Sequence, residues 1–416
     1  VVLEEDSKNL DEVVVVGYGS QKKLSVIGSI ANLEPQKLQT GSTMSMANNL
    51  AGQVPGVIAI RTSGEPGYDN ADFWIRGISS YQGTTTPLVL IDGVERDLNT
   101  IDPEEIESFS VLKDASASAM YGVRGANGVI VITTKRGKIA PPSVHLRVEH
   151  AFQKPTKLPD FLGAPEYMEF MNNLAGEDNA PFTREQIDRT ASGYDKELYP
   201  DVNWIDAVMK DYSYSTRANL TVSGGTPMLR YSLVGAVFSQ EGIMETDKKL
   251  DYDTGTSLTR YNLRANVDLN VTKTTLLRMN VGGYMRQLRK SAASTNSVFQ
   301  HAWNTPPNVF PIQYSDGAIP IRHSSDWNPW AESTQGGYGK YVNSRLESLF
   351  SIEQDLKMLL PGLKAKVVFS FDTYNSNKVE RNKKIEWSSV ASGRDDEGNL
   401  LHEVIRVGED FLGHNK

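Results

Sequence analysis

The stretch YNLRANVDLNV, residues 261–271, decides the fold. Its odd positions, Tyr261, Leu263, Ala265, Val267, Leu269 and Val271, are apolar, and its even positions, Asn262, Arg264, Asn266, Asp268 and Asn270, are polar. Successive side chains of a strand point to opposite faces, so this strand has one greasy face and one polar face. The same alternation sets Leu277, Met279 and Val281 against Arg278 and Asn280, and Leu346, Phe350 and Ile352 against Arg345, Glu347 and Glu353. It sets Leu363, Ala365, Val367, Phe369 and Phe371 against Lys364, Lys366, Ser370 and Asp372. Weaker copies run through Ala218, Leu220 and Val222 and through Leu229, Leu233 and Val237. With residues 144–151 as the first, about seven strands are present, each close to or longer than the 9–11 residues that cross a bilayer at a tilt.

The connections give an independent signal. They run long (153–212), short (224–228), long (240–256), short (272–274), long (290–339) and short (357–362). Outer-membrane barrels alternate short periplasmic turns with long external loops, whereas a soluble sandwich or propeller has no reason to gather its long loops at one end. If residues 144–151 climb outward, every long loop is external. Polar faces rich in Asn, Arg, Asp and Lys are costly in a dry core and cheap against a watery lumen, which implies a wide barrel. Plugged barrels of this kind reach about 22 strands, and about seven use up the sequence to its end. The expected fold is therefore a large membrane all-β barrel, of which this chain holds the N-terminal part. The first residue is Val1, and no signal-peptide pattern precedes it, so the true start is expected upstream.

Ahead of the barrel the pattern differs. Residues 1–24 are polar except for the β-branched run Val13, Val14, Val15 and Val16, which favours an extended strand. Near a chain end, such a strand either is handed to another sheet or forms an ordinary edge of the next domain. Residues 25–138 alternate short apolar runs with Gly-rich turns and read as a compact α+β domain, including a β-α-β unit whose helical turns cover 115–121. Asp92-Gly93 after a β-branched run is a hairpin signal, Asp92 being read as a turn residue. Pro141-Pro142 closes the domain, since Pro-Pro cannot continue a ladder. Residues 139–416 follow as the barrel part.

Composition removes several function classes. With 39% apolar and 23% charged residues the chain is not mostly disordered, and no apolar run is long enough for a membrane-spanning helix. A net charge of −8, with no Lys/Arg stripe, offers nucleic acid nothing. Cysteine is absent, which suits an exported protein without disulfides and many others besides. Gly17-Tyr18-Gly19 lacks the third glycine and following helix of a dinucleotide site. His145 and His150 lie on opposite faces of one strand and cannot share a metal. No catalytic constellation stands out, so neither an enzyme nor a cofactor is expected.

At this point the motifs carry a resemblance. The sequence resembles the SusC/RagA type of TonB-dependent outer-membrane transporters, which import glycans and in some members peptides. The residues that carry it are LDEVVVVGYGSQKK (10–23), LAGQVPGVIAIRTSGEPG (50–67), FWIRGISS (73–80), PLVLIDGVERD (87–97) and IESFSVLKDASASAMYGVRGANGVIVITTKRG (106–137), with weaker likeness in DVNWIDAVMKD (201–211) and NLTVSGG (219–225). Family members carry a small β-sandwich ahead of these motifs, and residues 1–10 look like its trailing linker.

The resemblance implies that residues 25–138 are a plug inside the barrel and that Asp11, Glu12, Val13, Val14, Val15 and Val16 hold the TonB box, gripped by the inner-membrane motor. The plug motifs place Arg76, Gly77, Asp92, Gly93, Lys113, Asp114, Tyr121, Gly122, Arg124, Gly125, Asn127 and Gly128, with Arg76, Lys113, Asp114 and Arg124 as candidate plug-to-wall contacts or plain surface charges. Implied partners are TonB, a SusD-like lipoprotein lid, outer-membrane lipid and a glycan or peptide cargo, in pairs that can dimerise. Residues 160–211 hold two amphipathic stretches, 165–174 and 183–190, that suit a docking surface for the lid. Trp303, Trp327, Trp330 and Tyr338 are candidate cargo contacts, aromatic faces beside Asn and Asp being what a sugar surface uses; alternatively they pack the loop against itself or against a partner. Two other readings stay open: a siderophore or cobalamin receptor of the same architecture, and a surface binding or signalling protein whose barrel is only an anchor.

Overall fold

A computed structural model describes residues 13–16, 19–22, 30–38, 44–77, 85–113, 118–409 and 413–415. Two short strands open the chain, β1 (Val13–Val16) and β2 (Gly19–Lys22), paired with each other in a separate two-stranded sheet. The α+β domain then contributes β3 (Ile30–Leu33), β4 (Val57–Ile60), β5 (Asp72–Ile75), β6 (Leu88–Ile91), β7 (Val94–Glu95), β8 (Ile106–Leu112) and β9 (Val129–Thr134). Five of these form one sheet in the order β3-β8-β9-β6-β7, while β4 and β5 form a hairpin of their own. Ile91, Ile106, Phe109, Val111, Ile130 and Ile132 from the sheet pack on Leu38, Met46 and Leu50 from two short helices.

The expected β-α-β unit does not form as such. β8 and β9 are antiparallel, and β9 runs parallel to β6 instead. Among the described residues between β8 and β9 lies a 3-10 helix, Ala119–Gly125, broken by non-helical angles at Gly122, and strands paired antiparallel need no crossover helix. The Asp92-Gly93 hairpin forms as read: both residues have positive φ, 51° and 85°, as a type I′ turn requires.

The barrel part is an antiparallel meander of long strands: β10 (Ala140–Gln153), β11 (Ser213–Gly225), β12 (Leu229–Glu241), β13 (Ser257–Asn270), β14 (Thr275–Ser291), then, beyond the short β15 (Pro320–Ile321), β16 (Gly337–Asp355) and β17 (Lys364–Asn382). Past β18 (Trp387–Ser389) and β19 (Val404–Arg406), β20 (Gly413–Asn415) adds an eighth member to the sheet. The sheet is open, with β10 at one edge. Its phase is the one the sequence shows. In β13 Leu263 is 65% exposed while Arg264, on the other face, is 1% exposed. The polar face is not simply wet, however: the α+β domain lies against it and buries Asn262, Arg264, Asn266 and Asp268.

Because consecutive long strands are antiparallel, the connections 154–212, 242–256, 292–336 and 383–412 leave the same end of the sheet. They are structured. Residues 164–175 and 184–192 are helical, the second opened by a capping box between Thr183 and Gln186. Trp204, Ile205 and Val208 from the first connection, Met244 from the second and Val298, Ala302 and Phe310 from the third share one apolar core, with Val390 from the fourth packed against it. Residues of β15, β18 and β19 form a small sheet that joins the third and fourth connections. No helix among the described residues is long and apolar enough to cross a membrane.

Where the α+β domain hands over to β10, Gly137 passes against the wall. A Cβ there would lie 2.3 Å from the Tyr231 amide nitrogen, 2.5 Å from its carbonyl oxygen and 2.8 Å from the Gly224 oxygen. These are backbone atoms held in a ladder and cannot turn aside. Gly137→Ala is therefore expected to cost about 3 kcal/mol, the upper end for overpacking, and to reduce the folded, heat-modifiable fraction on gels without boiling. A normal folded fraction would show that the junction tolerates a side chain.

Candidate functional site: the plug-to-wall interface and the cavity above it

The interface is built from two motifs that face each other. On the domain side, Asp102 caps a 3-10 turn, Pro103–Glu105, by accepting from the Glu104 amide at 2.9 Å, and this turn aims Glu104 and Glu105 at the wall. On the wall side the polar phase of β13 presents Arg260, Asn262, Arg264 and Asn266. Arg264 Nε donates to Glu105 at 2.6 Å, Nη1 to Asn280 on β14 at 2.9 Å and Nη2 to Glu347 on β16 at 3.1 Å. Between Arg264 and Glu347 the register places Gly282, where a Cβ would come within 2.8 Å of the Arg264 guanidinium carbon. The missing side chain lets the guanidinium reach across a whole strand.

Further contacts flank this centre. Arg96, just past the Asp92-Gly93 hairpin, grips Asp372 on β17 with two donors at 3.0 and 2.8 Å. Arg260 donates to the carbonyls of Asn99 and Thr100, each at 2.7 Å. Asn266 donates to Thr134 Oγ1 and to the Lys135 carbonyl, and Arg136 pairs with Asp268 at 2.7 Å. Glu105, Arg264 and Glu347 are all essentially inaccessible to water. Burial pushes the Glu105 carboxyl above the ordinary glutamate range, against the pull of Arg264. Such charge-assisted bonds are strong when complete, and water can replace these polar contacts once they part; a smaller apolar contact, Met44 against Phe238, Leu258 and Leu288, accompanies them.

Above this interface the domain meets the long connections. Arg286 on β14 donates to the Gly67 carbonyl at 2.6 Å, Thr295 donates to Glu65 at 3.0 Å, and the Lys290 ammonium sits 4.9 Å over the Tyr68 ring. A cavity of about 790 Å³ opens here, lined by residues 61–66 of the domain, by Phe152 and Gln153 at the end of β10, by Gln240 at the end of β12 and by Asn296 and Phe299. Burial raises the nearby Asp69 carboxyl above the usual aspartate range, against the pull of Arg61 and Arg286.

The residues singled out from sequence scatter over this frame. Val13–Val16 form β1, while Asp11, Glu12 and Asp114 lie outside the described residues. Asp92 is more than a turn residue. Its carboxylate accepts from the Thr134 amide and hydroxyl at 3.0 and 2.6 Å, and also from Asn280 of the wall. Arg124 pairs with Glu95 on the domain's own surface. Arg76 holds a positive φ of 60° and donates its amide to Gly56, and Lys113 is half-buried at the end of β8. Gly77, Gly93, Gly122 and Gly128 have positive φ; Tyr121, Gly125 and Asn127 lie in the 3-10 segment and the turn after it.

Trp303, Trp327, Trp330 and Tyr338 do not share a surface. Trp327 stacks on His301 at 5.9 Å and lies under the Arg406 guanidinium, Trp330 packs against two loop cores, and Tyr338 leans on Tyr252. Trp303, exposed, lines a second cleft of about 690 Å³ with Phe161 and Phe170. The residues that build the interface, Arg96, Glu105, Arg264, Glu347 and Asp372, were not singled out. Their only sequence signal is charge on the polar phase of the strands and, for Arg96, membership of the 87–97 motif.

Comparison with known proteins agrees with this architecture. Residues 22–129 match the family model described as the TonB-dependent Receptor Plug Domain. The chain is 36% identical over 257 residues to TonB-dependent receptor SusC of Bacteroides thetaiotaomicron, covering 59% of this chain and 24% of that protein. It is 27% identical to TonB-dependent receptor P3 of Formosa agariphila over 430 residues, covering all of this chain and 39% of that one. Among solved structures, the RagAB peptide importer in its open-open state superposes with a TM-score of 0.74 at 23% identity, over 90% of this chain and 43% of that chain. The chain thus spans about two fifths or less of the curated relatives it matches. A domain that matches the plug model, seated on the polar face of an open β-meander, makes the chain similar over the part it spans to TonB-dependent receptors such as SusC, and its fold is that of the corresponding part of the RagAB structure.

Proposed function

We propose that this chain works in TonB-dependent import of a bulky nutrient across the outer membrane, a glycan before a peptide. In this reading residues 1–24 couple to TonB, 25–138 form the plug, and 139–416 build part of the wall, with the connections at 153–212, 240–256 and 290–339 outside the cell. The observation that carries it is the set of buried, charge-assisted bonds between plug and wall, centred on Arg264 and Glu105. A greasy interface of that size would hold under load and reseal poorly; a polar one yields to water as it opens and re-forms when the pull ends. A contact that opens and re-forms in this way has the character of a gate.

The connections support a partner. The helices Ala164–Ala175 and Arg184–Ser192 leave Phe161, Leu162, Phe170 and Leu174 exposed, and apolar surface of that kind marks a protein contact. A SusD-like lipoprotein lid is the partner this face would take, in transporter and lid pairs that dimerise. SusC itself is named as a TonB-dependent receptor, and the solved RagAB relative as a peptide importer, which keeps peptide as the second cargo. Purification of the tagged full-length protein from outer membranes, followed by mass spectrometry, is expected to return a surface lipoprotein and an oligosaccharide. A preparation that carries an iron chelate or a corrinoid and no lipoprotein would overturn the reading in favour of a lidless receptor.

A further inference from the structure

We propose that the turn 356–363, between β16 and β17, is a wedge that enters the inner, phospholipid leaflet of the outer membrane, with Met358, Leu359 and Leu360 among the acyl chains and the Lys357 ammonium at the headgroup phosphates. The inference goes beyond the import reading. It rests on the part of that reading that makes residues 139–416 a wall with its long connections outside.

The level of the turn follows from the strand register. On the outward face, Val144 of β10 shares one row of the ladder, through Leu233 and Val281, with Phe371 of β17. From Val144 the apolar outward face of β10 runs up to Phe152, whereas from Phe371 that of β17 runs down through Phe369, Val367 and Ala365 to Leu363. Thr373, Asn375 and Asn377, above Phe371 on the same face, are polar. The low end of the greasy band on β10 is thus in line with its high end on β17, as the tilt of barrel strands requires. Residues 363–371 then make the crossing on β17, and their length is that of a tilted strand through a bilayer. The turn falls at the inner boundary, where headgroups meet acyl chains.

Its make-up suits that level. Met358, Leu359 and Leu360 are 88%, 77% and 60% exposed, while the turns 226–228 and 272–274 at the same end carry one large apolar side chain between them, Met228. Exposed apolar clusters mark contact surfaces. A segment that enters an apolar region must satisfy its own backbone. Here the Leu356 amide donates to the Leu363 carbonyl at 2.9 Å, and those of Leu359 and Leu360 donate to the Leu356 carbonyl at 2.8 and 3.2 Å. The Leu363 amide donates to the Leu360 carbonyl at 3.1 Å and the Lys357 amide to the Asp355 carboxylate at 2.9 Å. Pro361 has no amide hydrogen to satisfy. Lys357 adds a cation whose long stem lets its charge stay at the polar boundary.

Two observations favour lipid over protein as the cover. The patch continues the lipid-facing band of β17 without a polar break on that face. In addition, β20 pairs along the other edge of β17 in the plane of the sheet, which leaves the outward face clear.

The test uses the full-length protein in a cysteine-free background, folded into bilayers of phosphatidylethanolamine and phosphatidylglycerol. A nitroxide label is placed at Leu359→Cys, at Leu360→Cys, at Lys273→Cys on the neighbouring turn, or at Leu263→Cys on the lipid-facing side of β13. Power saturation then reads collisions with oxygen, which concentrates among acyl chains, and with a nickel chelate, which stays in water. Labels at 359 and 360 are expected to relax faster with oxygen, at a depth on the order of 5–10 Å below the phosphates, the depth reached by interfacial apolar segments. At 273 the order of the two reagents should reverse. Faster relaxation with the chelate at 359 and 360, with the 263 label still in lipid, would overturn the wedge and leave the wall reading intact. A label at 359 that neither reagent reaches would also overturn it, by showing protein over the turn. Chelate access at 263 as well would bring down the wall reading and the wedge with it.

Discussion

Removal of residues 11–16 is expected to leave cargo binding unchanged and to abolish uptake. Among the described residues the run Val13–Val16 is extended and pairs with Gly19–Lys22 in a separate sheet of two strands. A two-stranded hairpin is marginal in water, so a partner that offers a sheet edge can add to β1 or displace β2. Both ends of such a hairpin lie together. A pull on β1 with the plug holding the far end of β2 opens the pairs one at a time, and the strain then passes to the plug through residues 23–29. Radiolabelled cargo should bind deletion-bearing cells with wild-type affinity and fail to enter them. Entry at the normal rate would sink the coupling role.

Arg264→Met is expected to loosen the plug more than any other single change in the wall. Arg264 is the cation that Glu105 meets, and its loss strands a buried carboxylate. Breaking one side of a buried pair costs about 3–5 kcal/mol. Glu347 suffers less, because Arg96 and Arg345 remain at 3.6 and 3.3 Å. Cells carrying the variant should become sensitive to a large antibiotic that the closed channel excludes, and planar-bilayer recordings should show frequent opening. Arg264→Lys should rescue little, since one ammonium cannot serve Glu105, Asn280 and Glu347 at once. Combining Arg264→Met with Glu105→Gln should recover much of the seal by removing the stranded charge. A single variant that stays sealed would show that the plug is held elsewhere.

The wall was legible because its information is local. Alternation at residues 261–271 needs only the neighbouring positions to show which side faces lipid, and the TREQ box at 183–186 announces a helix from four residues. The plug strands were legible for the same reason. Their pairing was not: β9 runs antiparallel to β8 and parallel to β6, a choice no local run of residues announces. The site was the least legible part. Glu105 and Arg264 lie 159 residues apart, and nothing near either one names the other. For Arg124 the motif left wall contact and plain surface charge both open, and the pairing with Glu95 follows from the fold.

Four connections contribute to a single apolar core, in which Trp204, Met244, Phe310 and Val390 meet. Cargo preference in such a protein cannot be redrawn one hairpin at a time. A graft of the segment 154–212 alone from a relative would carry half of each mating surface and leave the other half behind. Recombination that moves all four as a block keeps the mates together, and the expected record of diversification is one of whole-crown exchange above a wall that changes slowly.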